Sequence, residues 1–128
     1  MSLKITHKYK VDFTQPRVES CIEVMQGDNL TRCVKLMLFC DGAEWNVPES
    51  AAVTVHWCRP DGQSGSYQVT ALDNELPIDG NYINAVLPAE VTAVPGVAHV
   101  CVNLVSGMQE LNTWAAKIKV KPNPHYQA

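Results

Sequence analysis

The chain has 128 residues, is 46% hydrophobic and carries a formal net charge of −3 at pH 7. That length is one domain's worth and can bury a core without metals or disulfides. No apolar run approaches the roughly 18–20 residues that span a bilayer, and the negative balance argues against nucleic acid as the main partner.

The chain reads as short alternating runs separated by turn residues. Ile5, His7, Tyr9 and Val11 alternate with polar neighbours and predict a first strand. Gln15-Pro16 breaks it, because proline cannot donate to a ladder. Cys21 to Met25 is a second strand, and Gln26-Gly27-Asp28-Asn29 a turn. Cys33 to Cys40 is a third, with Val34, Leu36 and Leu38 on one face and Lys35 and Met37 on the other. Asp41-Gly42 is a hairpin signal. Trp45 and Val47 follow in a connection placed to plug the end of the core.

In the next strand Val53, Val55 and Trp57 share a face, opposite Thr54 and His56. Arg59-Pro60-Asp61-Gly62 is a strong turn. Ser66 to Leu72 forms a weaker strand, Pro77 to Gly80 a turn, and Tyr82 to Leu87 a sixth strand. Pro88 at a first helical position, before Ala89-Glu90-Val91, predicts one or two helical turns that Pro95-Gly96 end. Val97 to Val105 is a long strand with Ala98, Val100, Val102 and Leu104 facing one way and His99, Cys101 and Asn103 the other. After Ser106-Gly107, Asn112 to Lys121 reads as the last strand, with Trp114, Ala116, Ile118 and Val120 alternating against Ala115, Lys117 and Lys119. About eight strands at this spacing predict an all-β fold, best matched by an immunoglobulin-like antiparallel sandwich with one short helical turn.

The residues supply no catalytic motif. No Gly-x-Ser-x-Gly elbow and no phosphate-binding glycine loop occurs. The four histidines, His7, His56, His99 and His125, show no metal-ligand spacing along the chain. The five cysteines, Cys21, Cys33, Cys40, Cys58 and Cys101, are odd in number and form no Cys-x-x-Cys pair. They read as reduced, buried thiols of a protein made in a reducing cytoplasm, with Cys33, Cys58 and Cys101 acting as small hydrophobes within strands. The reading is therefore non-enzymatic, with no catalytic, cofactor-binding or metal residue assigned and no cofactor expected. Met1 to Lys10 shows no signal peptide, and neither a membrane nor a nucleic-acid role is expected.

Charge and aromatic residues supply the interaction candidates. Between Arg59 and Lys117 there is no Lys or Arg, while Asp61, Asp73, Glu75, Asp79, Glu90 and Glu110 fall within that span. A single-sign region can steer a basic partner. Asp61, Asp73, Glu75 and Asp79, with Trp45, are the nominated interaction surface. An alternative is a carbohydrate-binding module for host wall or capsule glycans, its platform formed by Trp45 with Tyr67 or Tyr82. A weaker one is a small hydrolase assembled from scattered loop residues.

One ordered set of motifs points to a family. Met25-Gln26-Gly27-Asp28 precedes Arg32 at the opening of a strand; Asp41-Gly42 follows; Val53 to Trp57 then runs into Arg59-Pro60-Asp61-Gly62. Leu87-Pro88-Ala89-Glu90, with Val94 and Gly96, precedes a long strand, and Leu111 to Val120 closes the set. This order resembles the N-terminal domain of phage baseplate upper proteins, from tailed phages and prophages of Gram-positive bacteria. Arg59 stands where that family commonly has Lys. The resemblance covers 21–121, which implies a β-sandwich domain there, an N-terminal strand or extension over 1–20 and a C-terminal tail over 122–128. It further implies a virion structural protein of the tail or baseplate that docks on other tail proteins, with a homo-oligomer, a trimer, expected from the family. The chain has no heptad pattern of its own to drive that trimer. It reads either as one domain of a longer protein or as a compact relative. The matched positions are turns, so the resemblance carries over no site residue.

Overall fold

A computed structural model describes residues 3–15, 21–69, 76–113 and 115–125. In chain order the elements are β1 (Ile5–Asp12), β2 (Cys21–Met25), β3 (Arg32–Cys40), β4 (Ala43–Glu44), β5 (Ala52–Cys58), β6 (Ser64–Gln68), β7 (Ile78–Asp79) and β8 (Tyr82–Val86). They continue with α1 (Ala89–Thr92), β9 (Gly96–Ser106), β10 (Gln109–Asn112) and β11 (Ala116–Lys121). The strands form two sheets. The first runs β1-β3-β8-β7 with β4 paired to β3, and the second runs β2-β11-β9-β5-β6 with β10 paired to β9.

The two-residue period places the core. Val11, Val34, Leu38 and Ile83 come from the first sheet, and Val55, Val102, Ile118 and Val120 from the second; all are almost fully buried. Each such side chain contributes on the order of 1.5–3 kcal/mol by leaving water. Leu87 and Val91, around α1, close one end. Phe13, Trp45 and Val47 pack against the core as half-buried residues, as expected for Trp45 and Val47.

The all-β sandwich and its short helical turn match the reading from sequence, and the differences are informative. The sheets are mixed rather than wholly antiparallel: β1 pairs parallel with β3, and β2 pairs parallel with β11. β1 and β2 belong to opposite sheets, so neither can form a hairpin with the other, and each takes the edge of its own sheet. Alternation reports which face is buried but not the direction of the partner.

The predicted last strand is two strands. Asn112 pairs Asn103 and Ala116 pairs Val100, so this strand carries one residue more than β9 over the interval, a β-bulge. Thr113 spans the break: its N–H donates to the Val102 carbonyl, and its Oγ1 accepts from the Val102 N–H, each at 2.9 Å. Trp114, placed on the apolar face of that predicted strand, lies outside the described residues. The predicted turn at Pro77–Gly80 contains the short strand β7, which forms a tight hairpin with β8. Asn81 secures its bend by donating to the Leu38 carbonyl at 3.1 Å. The strand expected at Ser66–Leu72 is seen at Ser64–Gln68; its last positions, 70–72, lie outside the described residues. Pro88 stands just before the first helical residue, in extended conformation.

Candidate interaction surface

The turns picked out in the sequence are internally bonded joints. Asp28 uses one carboxylate oxygen, Oδ2, to accept from the Met25 N–H at 3.1 Å and from Arg32 Nε at 2.9 Å. Gln26 ties three elements together. Its N–H donates to the Lys121 carbonyl at 2.9 Å, its Nε2 donates to the Ala93 carbonyl at 3.0 Å, and its Oε1 accepts from the Asn123 N–H at 3.2 Å. Gly27, at φ 95°, permits the bend. The Gln-Gly-Asp turn therefore knits β2, β3, β11 and α1.

The Asp41-Gly42 hairpin has a similar brace. Both residues have positive φ, 52° and 79°, the geometry of a two-residue primed turn. The nearly buried Asp12 carboxylate accepts from the Asp41 N–H at 3.1 Å, the Gly42 N–H at 2.9 Å and the Thr14 N–H at 3.0 Å. Burial alone would raise the Asp12 pKa, but these hydrogen bonds outweigh it and hold the carboxyl below its ordinary value.

The nominated surface residues do not form one patch. Asp61 sits in the β5–β6 turn and is engaged by Arg59, whose Nε and NH2 reach its two oxygens at 3.1 and 2.7 Å. The Arg59 hydrogen bond is the main reason its carboxyl lies below the usual range. Asp79 is exposed on β7, at the edge of the other sheet. Asp73 and Glu75 lie outside the described residues. Trp45 packs edge-on against Phe13, ring centroids 5.3 Å apart, beside a cleft of about 290 Å³ bounded by Pro48, Leu104, Gln109 and Leu111.

The sugar platform is also dispersed. The Tyr67 hydroxyl donates to the Val86 carbonyl, joining the edge of the second sheet to the first. Tyr82 lies under the Lys35 ammonium, 4.5 Å from its centroid. Trp45 stands at the cleft described above, so the three rings occupy three separate settings.

Two groupings escaped the sequence. The parallel register sets Lys8 directly opposite Lys35 on the outside of the first sheet, while Lys10 lies 4.7 Å over the Phe39 ring. This basic, aromatic face is assembled from strands too far apart in sequence to be seen as a charge run. The cysteines, expected to be buried, are so only at Cys33; Cys21 and Cys58 are exposed, and Cys40 and Cys101 are half-exposed. The same alternation that buries Val55 and Val102 turns Cys58 and Cys101 outward.

Among the described residues, no helix is long and apolar enough to cross a membrane. No family model matches the sequence, and no curated protein matches it. The chain belongs by structure to the two-sheet, all-β sandwich domains. More particularly, it shares its fold with the N-terminal domain of phage TP901-1 ORF48, with a TM-score of 0.64 over 91% of this chain and 98% of that one, at 12% sequence identity.

Proposed function

We propose that this chain is a structural assembly module of a phage or prophage tail, acting at the baseplate by protein–protein docking and catalysing nothing. The observation that carries the reading is the shared fold with a phage domain over nearly the full length of both chains. The ordered turn motifs, from Gln26-Gly27-Asp28 to Arg59-Pro60-Asp61-Gly62, support it independently through their resemblance to baseplate upper proteins. Those turns act as braces within the domain, which suits a rigid part that must hold its shape in an assembly.

Docking has two routes here. The outer strands β6 and β7 are edges that can accept a further strand. Opposed charge offers the other: the lysine face at Lys8, Lys10 and Lys35 is suited to an acidic partner, and Asp79, exposed on β7, to a basic group. In this reading the protein is made in the bacterial cytoplasm, resides in the virion tail and contacts other tail proteins, in a trimer.

The test is co-purification of the chain with each tail protein encoded beside it, followed by light scattering after size exclusion. We expect a complex of fixed stoichiometry whose affinity falls as salt is raised, because exposed charges are screened within about 10 Å at 0.1 M ionic strength. Elution of the chain apart from every tail protein at low and high salt would overturn the docking role.

A further inference from the structure

β6 ends the second sheet, and among the described residues β5 is the only strand paired with it. The Arg59 N–H donates to the Gln63 carbonyl at 2.7 Å, which sets the phase of the β5–β6 ladder. Hydrogen-bonded pairs alternate along an antiparallel ladder, so Trp57 bonds across to Gly65 and Val55 to Tyr67. Ser64, Ser66 and Gln68 therefore turn their N–H and C=O groups to the free edge.

The other strands that end the sheets are guarded. β1 carries Lys8 and Lys10, β2 carries Glu23, and β7 is two residues long. Charge and shortness are usual means of keeping an edge from pairing. β6 reads Ser-Gly-Ser-Tyr-Gln, with neither a charge nor a proline. Beside it, between β6 and the Val86–Pro88 end of the first sheet, lies a cleft of about 390 Å³ lined by Trp57, Tyr67, Leu30, Pro88 and Glu90. Leu30 is exposed there and holds φ 57°, a left-handed backbone that is costly for a bulky residue and that collects at ligand sites. Glu90 is the one charged group among the described residues of the lining.

We propose that β6 and this cleft receive an extended segment of another tail protein, which adds a strand to β6, sets alternate apolar side chains into the cleft and places a Lys or Arg against Glu90. The site rests on the docking role proposed above and gives it a place and a partner chemistry. An added strand would meet the outward groups of Ser64, Ser66 and Gln68, and main-chain bonds of this kind give strand addition its affinity. Its side chains would alternate between the two faces of the sheet. Those on the inner face, the face of Gly65 and Tyr67, would enter the cleft beside the Trp57 ring.

The experiment is co-purification of the intact chain, and of two variants, with each tail protein encoded beside it. Proline is tolerated on an edge strand where its missing N–H would face solvent, so Ser66→Pro removes an outward donor and leaves the β5 ladder whole. Glu90→Arg reverses the charge of the cleft at an exposed position. Circular dichroism checks both folds. We expect each variant to weaken the complex by roughly tenfold or more, the effect of one interfacial hydrogen bond or ion pair lost. In the parent complex, hydrogen exchange should slow at the Ser66 and Gln68 amides, a readout that decides the matter if Ser66→Pro fails to fold. Undiminished binding by both variants, or Ser66 and Gln68 amides that exchange as fast in the complex as in the free chain, would overturn the β6 site and leave the docking role standing. A parent chain that binds no tail protein would overturn both.

Discussion

The indole of Trp57 fills the space where Gly65, its cross-strand partner on β6, would carry a side chain. A Cβ added to Gly65 would sit 2.5 Å from Cζ2 of that ring. The glycine is there because the ring needs its space. Gly65→Ala should therefore destabilise the fold by about 1–3 kcal/mol, the usual cost of overpacking. A urea unfolding curve followed by tryptophan fluorescence measures it. An unchanged midpoint would mean that the ring swings aside at no cost.

Tyr67 fastens β6 to the first sheet through its hydroxyl. Tyr67→Phe keeps the ring and strands the Val86 carbonyl, and should cost about 1–3 kcal/mol. Burial, with a smaller contribution from Cys33, raises the Tyr67 pKa far above its ordinary value. In an alkaline titration followed by phenolate absorbance, Tyr67 should ionise only as the chain unfolds. Ionisation of Tyr67 in the still-folded chain, identified by its loss in Tyr67→Phe, would contradict the buried bond.

The bulge between β10 and β11 gives a sharper test. The Val102 N–H has Thr113 Oγ1 as acceptor. Thr113→Val preserves shape and removes the acceptor, leaving a buried donor unpaired at about 1–3 kcal/mol. Hydrogen exchange should accelerate at the Val102 amide more than at Val100. A uniform change along β9 would place the loss elsewhere.

Acid should weaken the fold in two stages. Burial, then the Arg32 charge, lowers the His7 pKa from its ordinary 6.5. The unfolded chain thus takes up that proton first, so this stabilisation is full above pH 6.5 and is lost as pH falls through the depressed value. Asp12 acts in the same direction at lower pH: its contribution is present above 3.8 and disappears as pH falls through its depressed folded value. His7→Gln should flatten the upper stage and leave the lower one intact. Denaturant midpoints measured across pH 3–8 decide it, and an upper stage that survives in His7→Gln would assign it to another group.

Most of the architecture was legible because alternation reports burial directly. Val34, Leu36 and Leu38 face inward as their spacing predicts, and so do Ala98, Val100, Val102 and Leu104. The Asp-Gly and Pro-Asp-Gly turns were readable from the chemistry of positive φ. Strand partners were not. The pairing of β1 with β3 and of β2 with β11 depends on which edges remain open after the sheets form, and no local pattern encodes that. The bulge was hidden because Asn112 to Lys121 keeps an unbroken apolar rhythm although Thr113 interrupts the ladder. The surface was least legible. Lys8 and Lys35, or Cys58 and His99, become neighbours only through register, and Asp61 and Asp79, close in sequence, end on opposite sheets.

The parallel pairing of β2 with β11 also constrains how the domain comes into being. Cys21 meets Lys117, a partner 96 positions later (117 − 21), and among the described residues β11 is the only strand to which β2 is bonded. On a ribosome, β2 waits with its edge and its inward Ile22 and Val24 uncovered until almost the whole sandwich has emerged. Contacts of such long range make folding slow and leave intermediates with open strand edges. The second sheet is thus completed in one late step, and a chain halted before β11 would expose a sticky margin.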